Sequence, residues 1–227
     1  WKIGVYNAIV GESATYMLEQ CHVQGSDAAY SPFLRGRHGR VPPLDRSLVN
    51  AGYREPAGYD INVRYRLLET AFGKFAVNWH NTSTDYLEQR NDSAATTPVE
   101  QRTGWAGDFR VRSTFNLDWQ YGDLGIGWTA RYYSSMKEKC SYMDECNMPG
   151  FNSSYTSASP TNKVGSNTFH DLQVRYSLPW DGTVSLGVNN VFNHQGPIMY
   201  SQPNSSFTYY GGFDIGRFMY MKYQQRF

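Results

Sequence analysis

The chain has 227 residues, of which 18% are charged and 16% aromatic, and a formal net charge of +1. No stretch reaches the roughly 18 consecutive apolar residues of a membrane helix, so a helical membrane protein is excluded, and the aromatic content excludes disorder. Lysines and arginines are spread singly, which provides no basic field for nucleic acid, and the remaining Tyr-, Gly-, Ser-, Asn- and Thr-rich composition predicts an all-β fold.

The chain opens inside a strand-like pattern, Trp1 to Ile9, without a charged segment leading into an apolar one, and this predicts a cut N-terminus. Tyr59, Ile61, Val63, Tyr65 and Leu67 then alternate with Asp60, Asn62, Arg64 and Arg66, and Phe75, Val77 and Trp79 follow after a short link. The clearest alternation sets Phe109, Val111, Ser113, Phe115, Leu117 and Trp119 against Arg110, Arg112, Thr114, Asn116 and Asp118. After the turn signal Tyr121-Gly122-Asp123, Leu124, Ile126, Trp128, Ala130 and Tyr132 oppose Gly125, Gly127, Thr129, Arg131 and Tyr133, which predicts a hairpin. Leu172 to Leu178, Val184 to Val188 and Phe213 to Phe227 repeat the two-residue period, for eight predicted strands in all.

Connections near 68–72, 121–123 and 179–182 are short, and they alternate with long ones near 10–40, 86–108, 135–167 and 194–209. Outer-membrane barrels segregate short turns and long loops to opposite ends in this way, whereas a soluble β-sandwich or lipocalin-like barrel has no such requirement. Aromatics near strand ends, Trp79, Trp119, Tyr132, Tyr176 and Trp180, suit interfacial girdles, and arginines on the opposite face suit a wet lumen. Alternation alone does not say which face is which.

Nucleophile elbows, phosphate loops and zinc-binding helices are missing from the sequence, and the five histidines, His22, His38, His80, His170 and His194, are scattered. Asn193-His194 near Ser201 is the one arrangement that invites comparison with a lipid-hydrolysing barrel, and a polar loop is the favoured reading of it. We expect no catalytic residue, no metal site and no cofactor.

Near the C-terminus, Gly187-Val188-Asn189-Asn190-Val191-Phe192-Asn193, then Tyr210 to Asp214, Gly216-Arg217-Phe218-Met219-Tyr220 and a terminal Phe227, resemble the closing strands of TonB-dependent outer-membrane receptors. Lys2 to Ile9, Asn50-Ala51-Gly52 through Gly58-Tyr59-Asp60, and Gly127 to Tyr132 resemble earlier strands of the same family, so the likeness covers essentially the whole chain. That family places an N-terminal plug inside a 22-stranded barrel. The resemblance therefore implies that residues 1–227 are the last eight strands of an antiparallel up-and-down transmembrane barrel, present as an open curved sheet without its plug. It further implies energy-coupled uptake of a scarce nutrient such as a siderophore, cobalamin or oligosaccharide across the outer membrane of a Gram-negative bacterium. The partners would be outer-membrane lipid, the plug, TonB, the barrel-assembly machinery and an extracellular ligand. A stand-alone eight-stranded porin or adhesin is the alternative, with a lipid hydrolase behind it.

On this reading Arg131 and Tyr133, toward the long-loop end of their strand, and Trp105 and Tyr142, in long loops, are the candidate ligand contacts. Arg64, Arg66 and Arg175, near short turns, are expected to meet plug carboxylates. Cys140 and Cys146 close a small exterior loop and are expected to form a disulfide, with two free thiols as the alternative; Cys21 has no evident partner. Phe227 resembles the C-terminal assembly signal of outer-membrane barrels, and Met219, Met221 and Tyr223 are expected to face lipid.

Overall fold

A computed structural model describes residues 1–11, 48–90, 98–139, 161–200, 210–211 and 216–226. Its elements are β1 (Val5–Gly11), β2 (Leu48–Arg66), β3 (Lys74–Arg90), β4 (Glu100–Gln101), β5 (Val111–Tyr121), β6 (Leu124–Tyr133), β7 (Met136–Lys139), β8 (Thr161–Val164), β9 (Asn167–Ser177), β10 (Gly182–Asn189) and β11 (Phe218–Gln225). Hydrogen-bonded neighbours follow the order β1-β2-β3-β5-β6-β9-β10-β11, with β4 added to β3 and β7 paired with β8 in a separate small sheet. The eight strands read from alternation are thus present, antiparallel, in up-and-down order, and the order is not closed into a barrel. No helix among the described residues is long and apolar enough to cross a membrane.

All three short links lie at one end of the sheet, where each reversal is made by a residue that tolerates positive φ. Gly122 (φ 55°) turns β5 into β6 and Asp181 (φ 58°) turns β9 into β10. Between β2 and β3, Thr70 and Gly73 exchange backbone hydrogen bonds of 3.1 and 3.0 Å, and the Thr70 hydroxyl donates to the Gly73 carbonyl at 2.8 Å.

Contacts divide the chain into two compact units, one of Trp1, Gly58–Asp85 and Thr103–Phe227, the other of Lys2–Ala57 and Tyr86–Arg102. In the first, register places Trp119, Ile126 and Val174 in one row, Leu117, Trp128 and Leu172 in the next, and Phe115, Ala130 and His170 beyond them. β3 adds Phe75, Val77 and Trp79 to these rows, and β10 and β11 add Val184, Leu186 and Val188 with Tyr223, Met221 and Met219. This apolar face has little packed over it: Leu186 is 55% and Met221 73% exposed. Two of its indoles keep their N–H groups bonded within the protein, Trp79 to the Ser113 hydroxyl and Trp119 to the Phe72 carbonyl, both at 2.7 Å.

The enclosed core lies at the long-connection end and joins Phe109, Met136, Val164, Phe169, Met199 and Tyr210, with Tyr133 packed against them. Phe109 departs from the sequence reading, which made it the first residue of a strand. β5 starts only at Val111, and Phe109 packs its ring 5.1 Å from Tyr133 and 5.6 Å from Tyr210. Alternation assigns a face only while the chain stays in the sheet, and here the chain bends at Arg110. Likewise β11 begins at Phe218; the part of the expected strand at Phe213 and Ile215 lies outside the described residues.

In the second unit, β1 pairs with β2 through register shifts flanking Ala8, where Asn7 takes φ 55°. Glu55, 8% exposed, is the hub of a polar cluster: Lys2 pairs with it at 2.7 Å, and the hydroxyls of Tyr86 and Tyr6 donate to it at 2.8 and 3.4 Å. The Lys2 and Tyr86 bonds hold its carboxyl below the usual carboxylate range, and the same Glu55 bond raises the Lys2 ammonium above the usual lysine range. Beside it, Tyr53 donates to Glu88 at 3.3 Å, and burial, followed by the two nearby carboxylates, raises its phenol.

Candidate functional site

The opposite face of the first unit is polar, and register sets its residues in rows: Thr114 with Arg131 and Phe169, Asn116 with Thr129 and Asp171, Asp118 with Gly127 and Gln173, Gln120 with Gly125 and Arg175. Two ion pairs cross the ladder diagonally on this face. Arg131 forms an ion pair with Asp171, and Arg175 pairs with Asp118 at 3.0 Å. Thr129 donates to Asn116 at 2.8 Å, Thr82 to Asp60 at 2.8 Å, and His80 Nδ1 lies 2.6 Å from the Asn62 oxygen. Asn116, Asp118, Thr129, Arg131, Asp171 and Arg175 line a cavity of about 300 Å³ together with Asn78 and Tyr220.

Asp171 does a second job. Its Oδ1 accepts the Asn190 backbone N–H at 2.8 Å, tying Arg131 to the turn that follows β10. Asn190, at φ 51°, clamps that turn by donating its amide to the His194 carbonyl at 2.7 Å and accepting the His194 N–H at 2.8 Å. Asn193, at φ 53°, accepts the Arg217 N–H at 3.0 Å. The Asn189-Asn190-Val191-Phe192-Asn193 run is therefore a structural turn in which two asparagines supply both the left-handed backbone and the hydrogen bonds. His194 sits in that frame with Nε2 2.7 Å from Asn167 Oδ1; Ser201 lies outside the described residues.

Arg131 and Tyr133, two of the sequence-predicted contacts, share the polar face. Arg131 is held by Asp171, and Tyr133 packs into the aromatic cluster, 5.2 Å from Tyr210 and 6.1 Å from Phe169. Trp105 lies outside that cluster in the turn before β5, where its ring meets the ammonium groups of Lys137 at 4.3 Å and Lys139 at 4.9 Å. Tyr142, Cys21, Cys140, Cys146, His22, His38 and Phe227 lie outside the described residues. Arg175, expected to meet a plug carboxylate, pairs with Asp118 of its own sheet.

Sequence reasoning missed Asp171, Asn190 and Glu138. Alternation did place Asp171 on the arginine face; its pairing with Arg131 required the register of β6 against β9. Glu138 is 1% exposed on β7 between two exposed lysines, accepting from Asn162 at 2.8 Å and from the Tyr200 N–H at 3.1 Å. No group of three or more His, Cys, Asp or Glu arranged to hold a metal occurs among the described residues.

No protein-family profile and no curated protein matches the sequence. Among solved structures, the chain is similar to the ferripyoverdine receptor of the outer membrane of Pseudomonas aeruginosa bound to ferripyoverdine, at 17% identity and a TM-score of 0.46 over 85% of this chain and 20% of that one. It is similar also to the siderophore receptor PiuA from Acinetobacter baumannii, at 14% identity and a TM-score of 0.40 over 66% of this chain and 19% of that one. Both solved proteins are receptors. The chain spans about a fifth of the length of either.

Proposed function

We propose that the chain is the C-terminal portion of the barrel of a TonB-dependent outer-membrane receptor that takes up a scarce nutrient by energy coupling. The observation that carries this reading is the two-faced sheet. One face exposes aliphatic and aromatic side chains row after row, and the other carries paired charges and amides around a polar cavity. A soluble sheet would bury the first face; a barrel wall turns it to lipid and the second to the lumen. Tyr59 and Tyr65 bracket Ile61 and Val63, and Tyr132 and Tyr176 lie toward opposite ends of the band. Leu124 to Tyr132, one side of the β6 hairpin, is about the 9–11 residues of a spanning β-strand.

On this reading the plug that occupies the lumen lies outside residues 1–227, and TonB acts through it. The strand order, ending at β1 and β11, favours a share of a larger barrel over an eight-stranded barrel closed on itself. Trp105 and Tyr142 are the proposed ligand contacts from the long connections, together with Arg131 and Tyr133 on the polar face of the sheet. Cys140 and Cys146 form an exterior disulfide, and Phe227 serves assembly. Alkylation of both cysteines in unreduced protein contradicts the bridge, and membrane assembly unaffected by deleting Phe227 contradicts the signal.

The deciding experiment measures uptake by cells carrying the whole receptor, against a panel of ferric siderophores, cobalamin and oligosaccharides, before and after collapse of the proton-motive force. Uptake of one ligand that stops on collapse is expected. Uptake that continues selects a passive pore and overturns the proposal.

A further inference from the structure

Lys137, Glu138 and Lys139 read in sequence as a charge-balanced triplet, but the strand separates them. A β-strand sends alternate side chains to opposite faces. Glu138 goes inward with Met136, where its carboxylate is taken up by Asn162 and the Tyr200 N–H, while Lys137 and Lys139 stand exposed on the other face. Neither lysine is paired with a carboxylate among the described residues. Both ammonium groups are instead held against one indole, 4.3 and 4.9 Å from the centre of the Trp105 ring, and so lie no more than about 9 Å apart.

The scaffold beneath them is built. The Lys137 N–H donates to the Gly104 carbonyl at 2.9 Å and the Ala106 N–H to the Lys137 carbonyl at 2.8 Å, so the Trp105 segment is stitched to β7 residue against residue. A turn closes that segment from behind, Asp108 N–H to the Trp105 carbonyl at 2.8 Å and Gly104 N–H to the Asp108 carbonyl at 2.7 Å. Cation–π contact fixes where the two charges sit and leaves their hydrogen-bond donors to other acceptors, because an indole face accepts no strong N–H bond. Two ammonium groups on one indole repel, and the Glu138 carboxylate between them in sequence is turned to the other face.

We propose that Lys137 and Lys139, positioned by Trp105, form a binding site for a phosphomonoester, whose charge of about −1.5 to −2 at neutral pH matches the two ammonium groups. A lone carboxylate supplies half that charge. The site deepens the role given above to Trp105, and it is tested by binding, so its failure leaves the uptake measurement standing and the converse holds.

The test is calorimetric titration of the detergent-solubilised full chain with glucose 1-phosphate, and separately co-sedimentation with phosphatidylcholine vesicles containing bisphosphorylated lipid A. Saturable glucose 1-phosphate binding is expected, weakened at least tenfold in the Lys137→Gln/Lys139→Gln variant and retained in Lys137→Arg/Lys139→Arg, which keeps both charges. Trp105→Ala is expected to weaken it less, since it removes positioning and leaves the charges. Lysine-dependent co-sedimentation in addition assigns the phosphate to the outer-leaflet lipid; its absence assigns it to a soluble ligand. No binding of either probe by the unsubstituted chain, or binding unchanged in the double-glutamine variant while near-ultraviolet circular dichroism shows it folded, overturns the proposal.

Discussion

The Gln173 amide donates a 2.9 Å hydrogen bond to the Tyr220 hydroxyl across the whole width of the intervening strand, and it does so over the bare backbone of Gly187. The three residues form one row of the polar face, and a Cβ at position 187 would overlap the Tyr220 ring. The glycine is the gap into which the tyrosine lies, which lets a residue on β11 reach β9 and locks the register of three strands.

Gly187→Val is therefore expected to expel the Tyr220 ring and break the Gln173 bond, destabilising the sheet by about 1–3 kcal/mol despite the better strand propensity of valine. Urea unfolding in detergent measures this, and Gly187→Val combined with Tyr220→Ala should recover part of the loss. A neutral single variant would show that the ring is not held there.

On the apolar face, Leu172 lies between Trp128 and Val188 in a central row. Facing lipid, Leu172→Arg should cost roughly 2–4 kcal/mol and reduce assembly into outer membranes. Facing water, the same change at a position already 38% exposed would be nearly neutral. Fractionation of membranes distinguishes the two, and normal yield of the arginine variant would count against the lipid-facing assignment.

Asp171→Asn keeps an acceptor for the Asn190 N–H but leaves the Arg131 guanidinium without its carboxylate. With both side chains largely covered (20% and 12% exposed), the expected loss is about 1–3 kcal/mol. Arg131→Gln added to Asp171→Asn should cost less than the sum of the single changes, and a double-mutant cycle reads that coupling. Strict additivity would mean that the pair contributes no interaction of its own.

The Glu55 cluster sets a pH window for β1. Glu55 titrates below its ordinary 4.5 in the folded chain, so its contribution is complete above that value and disappears as pH falls through the lower folded one. Lys2 titrates above its ordinary 10.5, so its contribution is complete below that value and disappears as pH rises through the higher folded one. Amide hydrogen exchange of Val5–Gly11, corrected for intrinsic rates, should be flat between these limits and accelerate on acidification, and Glu55→Gln should abolish the acid limb. An acid limb identical in both proteins would place the titrating group elsewhere.

Strand number and the division of each strand into two unlike faces were legible in the sequence because a strand has a period of two, whereas the up-and-down order was implied by the family resemblance. Ile126 and Arg131 could be assigned to opposite faces with nothing but their parity. The same rule failed at Phe109, where the chain leaves the sheet, and it was not applied to Glu138, which lies in a stretch read only as a long connection. Pairings such as Arg131 with Asp171, Gln173 with Tyr220, or Trp105 with Lys137 and Lys139 join residues distant in the chain. They depend on inter-strand register and on where the long connections pack, and one strand's pattern contains neither. The sequence by itself determined an antiparallel sheet with one apolar and one polar face. The tertiary structure alone decided that the apolar face stays uncovered, that Arg131 and Arg175 at its back are paired within their own sheet, and that two lysines share one indole, because each of these depends on which side chains meet.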